Sequence, residues 1–274
     1  MSWGRIKTIL IILFLFTDIF LAVSIFTAEK KESEISPEVY ESAIEILKSH
    51  NITLGNSAVL PKVSSAPVLQ TDNAVTDYDT FAHILLGDDC VLISSEEYSS
   101  EKGKLTFSGD RFSFNAYQNA ENPESLTQKK AQKKAFSLLK SLGFNMSDAK
   151  VISASEKGGI WTFLIRDFSG LNPVFSSEIE ITFANNEIIS LVGSWFNKKD
   201  TREQDGSIKS ITGVLIEFAT NCSYTVPATI TSVEFGYSIL DAESYHKSAS
   251  LIPVDKITLT DQKEYLIDVR SISE

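Results

Sequence analysis

The sequence predicts an α+β protein in which an N-terminal transmembrane helix precedes repeated units of one helix covering an antiparallel sheet. Three observations support this prediction. An apolar run fills residues 8–28, helix-type apolar periodicity recurs later in the chain, and segments rich in β-branched and aromatic residues follow each predicted helix. Packing a helix on a sheet lets both elements bury their apolar faces, which accounts for the alternation.

The apolar run at residues 8–28 contains 14 Leu, Ile, Phe or Val residues and one charged residue, Asp18. As an α-helix it would be about 31 Å long, which matches the hydrocarbon core of a bilayer. A central aspartate costs about 2.5–3.5 kcal/mol on insertion scales, whereas each large apolar residue contributes about −0.3 to −0.6 kcal/mol. The apolar contribution exceeds the cost, so we predict a transmembrane helix.

Asp18 shares one broad face of this helix with small and hydroxyl residues. Small residues allow helices to approach closely, and a carboxyl group can form hydrogen bonds across such an interface. We therefore predict a partner-helix contact face made of Thr17, Asp18, Leu21, Ala22, Ser24 and Ile25. The alternative is an acid that is hydrated through a local defect in the membrane.

The orientation follows from the flanks of the apolar run. Basic residues precede it without acids, whereas the basic residues after it alternate with acids, which favours a cytoplasmic N-terminus. We predict a single-pass protein of the cell membrane with an extracytoplasmic C-terminal body. A cleaved signal peptide is the competing interpretation, because Ala22-Val23-Ser24 has the small residues of a cleavage site. Both interpretations place the body outside the cytoplasm.

The composition of the body excludes several kinds of partner. The whole chain carries −11, residues 1–7 contribute +2 and Asp18 contributes −1, so residues 29–274 carry −12. A body with this much negative charge repels nucleic acid and anionic membrane surfaces, so we expect no nucleic-acid partner.

The body begins with a charged linker at residues 29–36. Ser36-Pro37-Glu38 is a typical helix start, and we predict a helix from there to His50-Asn51. Further helices are predicted at residues 126–142 and 208–221, with a short one at 77–86 that ends at Gly87.

Predicted strands follow these helices, with hairpin turns between several of them. The turns are Gly109-Asp110, Gly158-Gly159, Asn185-Asn186 and Asp261-Gln262. The strands are Cys90–Tyr98, Lys104–Ser108, Arg111–Tyr117, Val151–Ser155, Trp161–Phe168, Ser176–Phe183, Glu187–Phe196, Ile230–Leu240, Val254–Leu259 and Tyr265–Val269.

A helix followed by an antiparallel meander thus recurs along the body. The first two long helices are also alike in sequence, since Ala43–Ser49 resembles Ala135–Ser141. We predict a linker at residues 119–124. The predicted organisation is a cytoplasmic N-terminus (1–7), a transmembrane helix (8–28), a linker (29–36), a first α/β unit (37–122), a second (123–200) and a third packed with the second (201–274).

No combination of residues predicts catalysis, a cofactor or a metal site. The three histidines lie far apart in sequence, and the motifs of serine hydrolases, zinc proteases and phosphate loops are missing. The acid pairs Asp88-Asp89 and Glu96-Glu97 are interpreted as solvated charges rather than a general acid and base. We therefore expect a protein that is not an enzyme.

Two further sets of residues have alternative interpretations. Trp161, Trp195 and Tyr237 either line a groove or pack in a sheet core, and the core is favoured. Cys90 and Cys222 either form a disulfide or stay free. The apolar stripe that contains Cys222 favours a buried free thiol.

Both ends of the chain have a distinctive sequence. The N-terminal end contains Trp3, Lys7-Thr8-Ile9, Phe14 and Asp18-Ile19-Phe20-Leu21. The C-terminal end contains Ile252-Pro253-Val254-Asp255-Lys256-Ile257 followed by Glu264-Tyr265-Leu266-Ile267-Asp268-Val269. These two stretches resemble the YycI (WalI) family of Gram-positive bacteria.

This resemblance implies a single-pass protein that regulates the YycFG (WalRK) two-component system of the cell wall. Its implied partners are the sensor histidine kinase (WalK or YycG), a YycH-like companion protein and the lipid bilayer, with contacts between transmembrane helices. The repeated layout also resembles PepSY modules, which implies the alternative of a secreted or anchored binding or inhibitory module. An extracytoplasmic enzyme is the least favoured function.

Overall fold

The computed structural model describes residues 14–15, 17–21, 36–117, 126–185, 187–202, 206–240 and 248–271. From residue 36 onward, these ranges contain four α-helices and sixteen β-strands, so the predicted α+β class is confirmed. The helices are α1 (Pro37–Ser49), α2 (Tyr78–Leu86), α3 (Gln128–Ser141) and α4 (Ile211–Asn221). The strands are β1 (Ile52–Leu54), β2 (Ser65–Ala66), β3 (Leu69–Asn73), β4 (Val91–Ser94), β5 (Glu97–Ser99), β6 (Gly103–Ser108), β7 (Arg111–Ala116), β8 (Lys150–Lys157), β9 (Ile160–Ser169), β10 (Asn172–Ala184), β11 (Glu187–Ser194), β12 (Phe196–Arg202), β13 (Gly206–Ser207), β14 (Ala228–Ser238), β15 (Ser248–Leu259) and β16 (Glu264–Asp268).

The helices begin where polar side chains satisfy the first free backbone amides. Ser36, Asp77 and Ser210 each accept a hydrogen bond from the N–H three residues later, at 3.1–3.3 Å. Thr127 precedes α3 without such a side-chain bond. Helix α2 ends at Gly87, whose φ of +94° favours glycine. All four predicted helices are present, with shorter bounds at residues 208–221.

The predicted turns have the left-handed backbone that tight turns need. Gly109 has a φ of +62°, Gly158 of +62°, Asn185 of +55° and Gln262 of +65°. Asn186 lies outside the described residues. Because these turns fix the register of the neighbouring strands, the sheets follow the predicted meanders closely.

Eight strands form an antiparallel sheet in the order β8-β9-β10-β11-β7-β6-β5-β4. Strands β4–β7 form one meander and β8–β11 form another, and the two meanders join where β7 pairs with β11. Helix α2 precedes the first meander and helix α3 precedes the second. We call these eight strands and two helices the first layer.

The first layer has one continuous core beneath both helices. Phe81 and Leu86 from α2, Ala135 and Leu139 from α3, and Phe163 from β9 are all buried in it. The two helix-plus-meander units therefore share their apolar interior rather than folding around separate cores.

A second sheet, which is continuous with the first through the pairing of β10 with β14, is built around β14, β15 and β16, and these three strands form an antiparallel meander. Strand β3 pairs with the first half of β15 and with β12, and β1 pairs in parallel with β14. Helices α1 and α4 cover this sheet, and Leu47, Leu215 and Phe218 are buried with Ile230 and Ile257 in a core of its own. We call these strands and helices the second layer.

The two layers meet where Val174 of β10 pairs in parallel with Tyr237 of β14. Phe196, Ile239 and Leu251 are buried around this bridge and form a small third cluster with neighbouring residues. The junction is thus an apolar contact between strands of both sheets.

The position of α1 differs from the predicted organisation. We assigned this helix to a first unit at residues 37–122, but it lies against α4 and β1 in the second layer. The reason is local: Asn51, with a φ of +57°, turns the chain directly into β1, and β1 pairs with Ala228 and its neighbours on β14. Helix α2, expected only as a short turn, takes the place of α1 above the first meander.

The strands differ from the sequence prediction in three further ways. The strand predicted at Cys90–Tyr98 is divided by a turn into β4 and β5. The strand predicted at Glu187–Phe196 ends at Ser194, and β12 then leaves the first sheet to pair with β3. Strands β1 and β3 lie in a stretch where we predicted none. The linker predicted at residues 119–124 lies outside the described residues.

Candidate functional site

The predicted partner-helix face is described only in part. Thr17, Asp18 and Leu21 lie in helical backbone at residues 17–21, and all three are exposed. The remaining predicted members, Ala22, Ser24 and Ile25, lie outside the described residues. The contact face therefore stays a prediction, with Asp18 accessible to a partner.

The apolar side chains of this helical stretch are not covered by the body. Phe14, Leu15, Ile19, Phe20 and Leu21 are each more than half exposed. Burial of such side chains is favourable by about 25 cal/mol per Å² of apolar surface. A contiguous apolar patch of this kind is typical of a surface that meets lipid or another protein.

None of the helices in the described ranges is both long enough and apolar enough to cross a bilayer. Residues 8–13, 16 and 22–28 of the predicted transmembrane helix lie outside those ranges. The prediction of a transmembrane helix therefore rests on the sequence alone.

The body brings one histidine and one cysteine together, which the sequence analysis missed. Cys90 Sγ lies 3.5 Å from His83 Nδ1, and Asp88 Oδ1 lies 4.0 Å from the same nitrogen. Helix α2 ends at Gly87, and Cys90 N donates a hydrogen bond to Gly87 O at 3.2 Å, which folds the chain back towards His83. A histidine near the end of a helix, followed by glycine and a nearby cysteine, is the signal that would have revealed this pair.

This pair lacks the chemistry of an activated nucleophile. Burial raises the pKa of the Cys90 thiol, and the nearby carboxylates of Asp89, Asp79 and Asp88 raise it further. Reactive cysteines have a lowered pKa in an electropositive setting. Both contacts also use the same ring nitrogen of His83, so no relay of cysteine, histidine and carboxylate is formed.

The histidines, cysteines and carboxylates in the described part of the body are the candidates for a metal site, which needs several of them close together. Within the described residues, no group of three or more His, Cys, Asp or Glu side chains has a geometry that would hold a metal ion. Cys90 and Cys222 are both free and half-buried, and they pack against different cores.

A buried ion pair crosses the boundary between the layers. Lys198 Nζ on β12 lies 3.1 Å from Asp167 Oδ2 on β9 and 2.9 Å from Asp148 Oδ2, and it donates a hydrogen bond to Phe168 O. Burial raises the pKa of the Asp167 carboxyl, while the charge and the hydrogen bond of Lys198 oppose that rise. The pair ties the end of β9 to β12, and its role is structural.

A second buried carboxyl, Asp255 on β15, has no such partner. It lies across from Phe235 and Ile267 on the neighbouring strands, and its Oδ1 has no hydrogen-bond partner in the described part of the chain. Burial raises its pKa to about 7. The group therefore changes its charge near neutral pH inside the core of the second layer.

A cleft of about 500 Å³ lies between α2 and α3, above the join of β7 and β11. Its walls combine apolar side chains with three charged residues, Glu101, Lys102 and Glu187. The lining includes Ile84, Leu85, Lys102, Phe114, Leu138, Leu142, Glu187 and Ile188. Apolar side chains with a few polar groups among them are the usual lining of a ligand pocket.

For the aromatic and acidic residues that the sequence analysis discussed, burial in the structure agrees with the favoured interpretations. Trp161, Trp195 and Tyr237 are buried, so they belong to cores rather than to a groove. Asp88, Asp89 and Glu96 are exposed, and Glu97 pairs with Lys104. These acids therefore lie at the surface, as the favoured interpretation expects.

Comparisons with known proteins give structural neighbours without a family. No family model matches the chain, and no curated protein matches it. The chain is similar to the crystal structure of an uncharacterized protein from Eubacterium rectale, with 9% identity over 85% of this chain and 94% of that chain and a TM-score of 0.45. It is also similar to YycH from Bacillus subtilis, with 15% identity over 78% of this chain and 55% of that chain and a TM-score of 0.47.

A third neighbour is the C-terminal domain of YpeB from Bacillus megaterium. The identity is 8% over 70% of this chain and 91% of that chain, and the TM-score is 0.32. At these values the comparisons assign the chain to no family.

Proposed function

We propose that the chain is a single-pass membrane regulatory protein that binds a cell-wall-sensing histidine kinase and modulates its activity. Transmembrane and extracytoplasmic contacts both take part. The kinase, and a YycH-like companion protein, are proposed from the resemblance of Trp3 to Leu21 and of Ile252 to Val269 to the YycI family. The protein acts by binding and not by catalysis.

The observation that carries the proposal is the N-terminal helical stretch. Its acid, Asp18, is exposed, and its large apolar side chains at residues 14–15 and 19–21 are exposed with it. An acid within an apolar run of 21 residues is costly unless it contacts something polar. A hydrogen-bonding group on a second transmembrane helix supplies such a contact.

The body supports a role in transmitting a contact rather than performing a reaction. The two layers are joined by the strand bridge at Val174, by a buried apolar cluster and by the ion pair of Lys198. A partner that binds the body and the helix differently in two signalling states shifts the balance between those states. Regulation of a kinase needs no more than this difference in affinity.

The proposal is tested by replacing Asp18 in the full-length chain expressed with the kinase. Asp18→Leu removes the polar group and should reduce co-purification of the kinase from detergent extracts about five- to thirty-fold, since such hydrogen bonds contribute about 1–2 kcal/mol. Asp18→Asn keeps the ability to form hydrogen bonds and should retain most of the association. Phe20→Leu, on the opposite side of the helix, is the matched control and should change nothing.

Undiminished co-purification with Asp18→Leu would contradict the proposed helix contact. A loss as large with Phe20→Leu would also contradict it, because the effect would then reflect general disturbance of the helix.

The alternative function is a secreted or anchored binding or inhibitory module of the PepSY type. It is favoured by the small residues at Ala22-Val23-Ser24 and by the cleft between α2 and α3, whose lining has the mixture of apolar and polar groups that ligand pockets have. The two functions differ in whether residues 1–24 remain on the mature chain.

A further inference from the structure

The two outer strands of the first sheet have opposite surfaces. Strands β4 and β8 are equivalent, since each is the first strand of its meander and each ends the sheet. Strand β8 has Lys150 and Lys157 at its ends, which is a common way to prevent an edge from pairing. Strand β4 has neither lysine nor proline.

The side chains of β4 are apolar and solvent-exposed. Val91 is 59% exposed, Leu92 57% and Ile93 60%. On β8 the large exposed apolar side chain is Ile152, at 43%. Among the described strands only β5 pairs with β4, so the other edge of β4 offers backbone groups and apolar side chains together, which are what an added strand requires.

Acidic residues flank this edge on both sides. Residues 88–101 contain five carboxylates and no lysine or arginine. Asp88 and Asp89 precede β4, and Glu96 follows it, all exposed. The edge is therefore an apolar centre between two negatively charged ends.

We propose that β4 is a docking edge for an extended segment of a partner protein that has an apolar centre and basic flanks. The segment adds to the sheet as a further strand beyond β4, so its backbone pairs with β4 while its lysines or arginines lie beside the acids. This site is separate from the Asp18 helix face, and it adds an extracytoplasmic contact to the proposed function without depending on Asp18.

The charges argue against a second copy of the chain as the occupant. Two β4 strands paired antiparallel about Leu92 place Asp88 of one copy opposite Glu96 of the other. A shift of register by one residue places Asp89 opposite Glu96 instead. Like charges that face each other across strands are destabilising, so pairing of β4 with itself is disfavoured.

The bulge in β4 agrees with this assignment. The register with β5 shifts between Leu92 and Ser94, and Ile93 occupies the bulge. A bulge increases local twist and hinders flat stacking of identical edges. A partner with matching length and charge is therefore selected over unspecific edge pairing.

Binding of synthetic peptides to the full-length chain in detergent micelles tests the proposal. The probe is a labelled peptide with an alternating Val-Thr centre and paired lysines at both ends, followed by fluorescence anisotropy. One control peptide has glutamates in place of the lysines, and another has N-methylated backbone amides that cannot donate to β4. The protein variants are Leu92→Lys on β4 and Ile152→Lys as the matched change on β8.

The lysine-flanked peptide should bind at least about tenfold more tightly than either control peptide, because the glutamate peptide meets like charges and the methylated peptide loses its donors. Leu92→Lys should weaken its binding to a similar extent, whereas Ile152→Lys should leave it unchanged. Hydrogen exchange at Val91–Ser94 should slow when the peptide is bound.

Equal affinity for the lysine and glutamate peptides would overturn the proposal, as would equal loss with Ile152→Lys. Self-association of the chain that Leu92→Lys abolishes would assign the edge to a second copy instead. None of these results alters the outcome of the Asp18 experiment, so the two proposals can fail independently.

Discussion

Both layers consist of two helices that cover a sheet, but the helices come from different places in the sequence. In the first layer, α2 and α3 each precede the meander that they cover, so consecutive sequence builds the layer. In the second layer, α4 precedes its own meander, but α1 and β1 come from much earlier in the chain, since Ile52 pairs with Ala228, which lies 176 residues later. Strand pairing, rather than order in the sequence, decides which sheet a helix covers.

The similarity between the first and second long helices has the same explanation. Ala43 and Leu47 of α1 are both buried, Leu47 in the second core, and Ala135 and Leu139 of α3 are buried in the first. An alanine one turn before a leucine lets a helix approach a sheet closely while filling the space beside it. The shared pattern reflects a shared position above a sheet, not membership of the same layer.

The largest expected effect on stability comes from removing the ion pair between Lys198 and Asp167, which joins the two layers. Lys198→Met leaves the buried Asp167 without its partner, and we expect it to lower the free energy of unfolding by about 3–5 kcal/mol. Chemical denaturation measures this change. Adding Asp167→Asn in the same chain should recover most of the loss, since no buried charge then lacks a partner.

The control for this prediction is Lys199→Met. Lys199 pairs with Asp72 at 2.8 Å on the surface, and exposed pairs contribute at most about 1 kcal/mol. Equal losses for Lys198→Met and Lys199→Met would show that Lys198 does not hold the layers together.

The next effect concerns the layer to which α1 belongs. Leu47→Ala should lower the free energy of unfolding by about 2–5 kcal/mol, because it leaves a cavity in the second core. Hydrogen exchange should then accelerate mainly at residues 211–238 and 248–269. Leu139→Ala is the matched variant, and its faster exchange should appear in the first layer. Faster exchange in β4–β7 with Leu47→Ala would support the original assignment of α1 to residues 37–122.

A third prediction concerns the pH dependence of stability that follows from Asp255, the buried acid of the second layer that lacks the ion pair that Asp167 has in the first. Because the pKa of Asp255 is about 7, the folded chain keeps a proton that the unfolded chain releases near its ordinary pKa of 3.8. The free energy of unfolding should therefore decline between about pH 4 and pH 7, by as much as about 4 kcal/mol. Asp255→Asn should remove this part of the decline, as denaturation at several pH values would show. Parallel pH profiles for the two chains would contradict the assignment.

The smallest effects come from the helix caps. Ser36→Ala and Ser210→Ala each remove a capping hydrogen bond and should cost about 1 kcal/mol, seen as lower thermal stability. Thr127→Ala on α3 should cost much less, because Thr127 makes no such bond. A loss at Thr127 equal to that at Ser36 would mean that the cap bonds do not explain the difference.

Much of the fold was predictable because its signals are local. Capping residues and apolar stripes marked the helices, and the turns at Gly109, Gly158 and Gln262 marked the hairpins. Strand β3 escaped prediction because two of its buried residues are polar. Thr71 Oγ1 donates to Ala249 O at 3.0 Å, and Asn73 Oδ1 accepts from Val75 N at 2.9 Å, so these side chains are satisfied inside the protein.

The two proposed sites, the Asp18 helix face and the β4 edge, also differ in how far the sequence predicts them. The predicted helix contact at Asp18 rests on local sequence, and half of its residues lie outside the described part of the chain. The edge at β4 was not predictable, since the sequence predicted one strand from Cys90 to Tyr98 and gave no sign that this strand would end a sheet. Which strand lies at an edge depends on pairings between distant segments, such as β7 with β11.

The most direct test of the proposed function is the intact mass of the chain recovered from cells that produce it, combined with separation of membranes from the medium. A membrane-anchored regulator should be found in the membrane fraction with a mass that includes residues 1–28. A chain that starts near residue 25 and is recovered from the medium would contradict the account, and it would favour the secreted module instead.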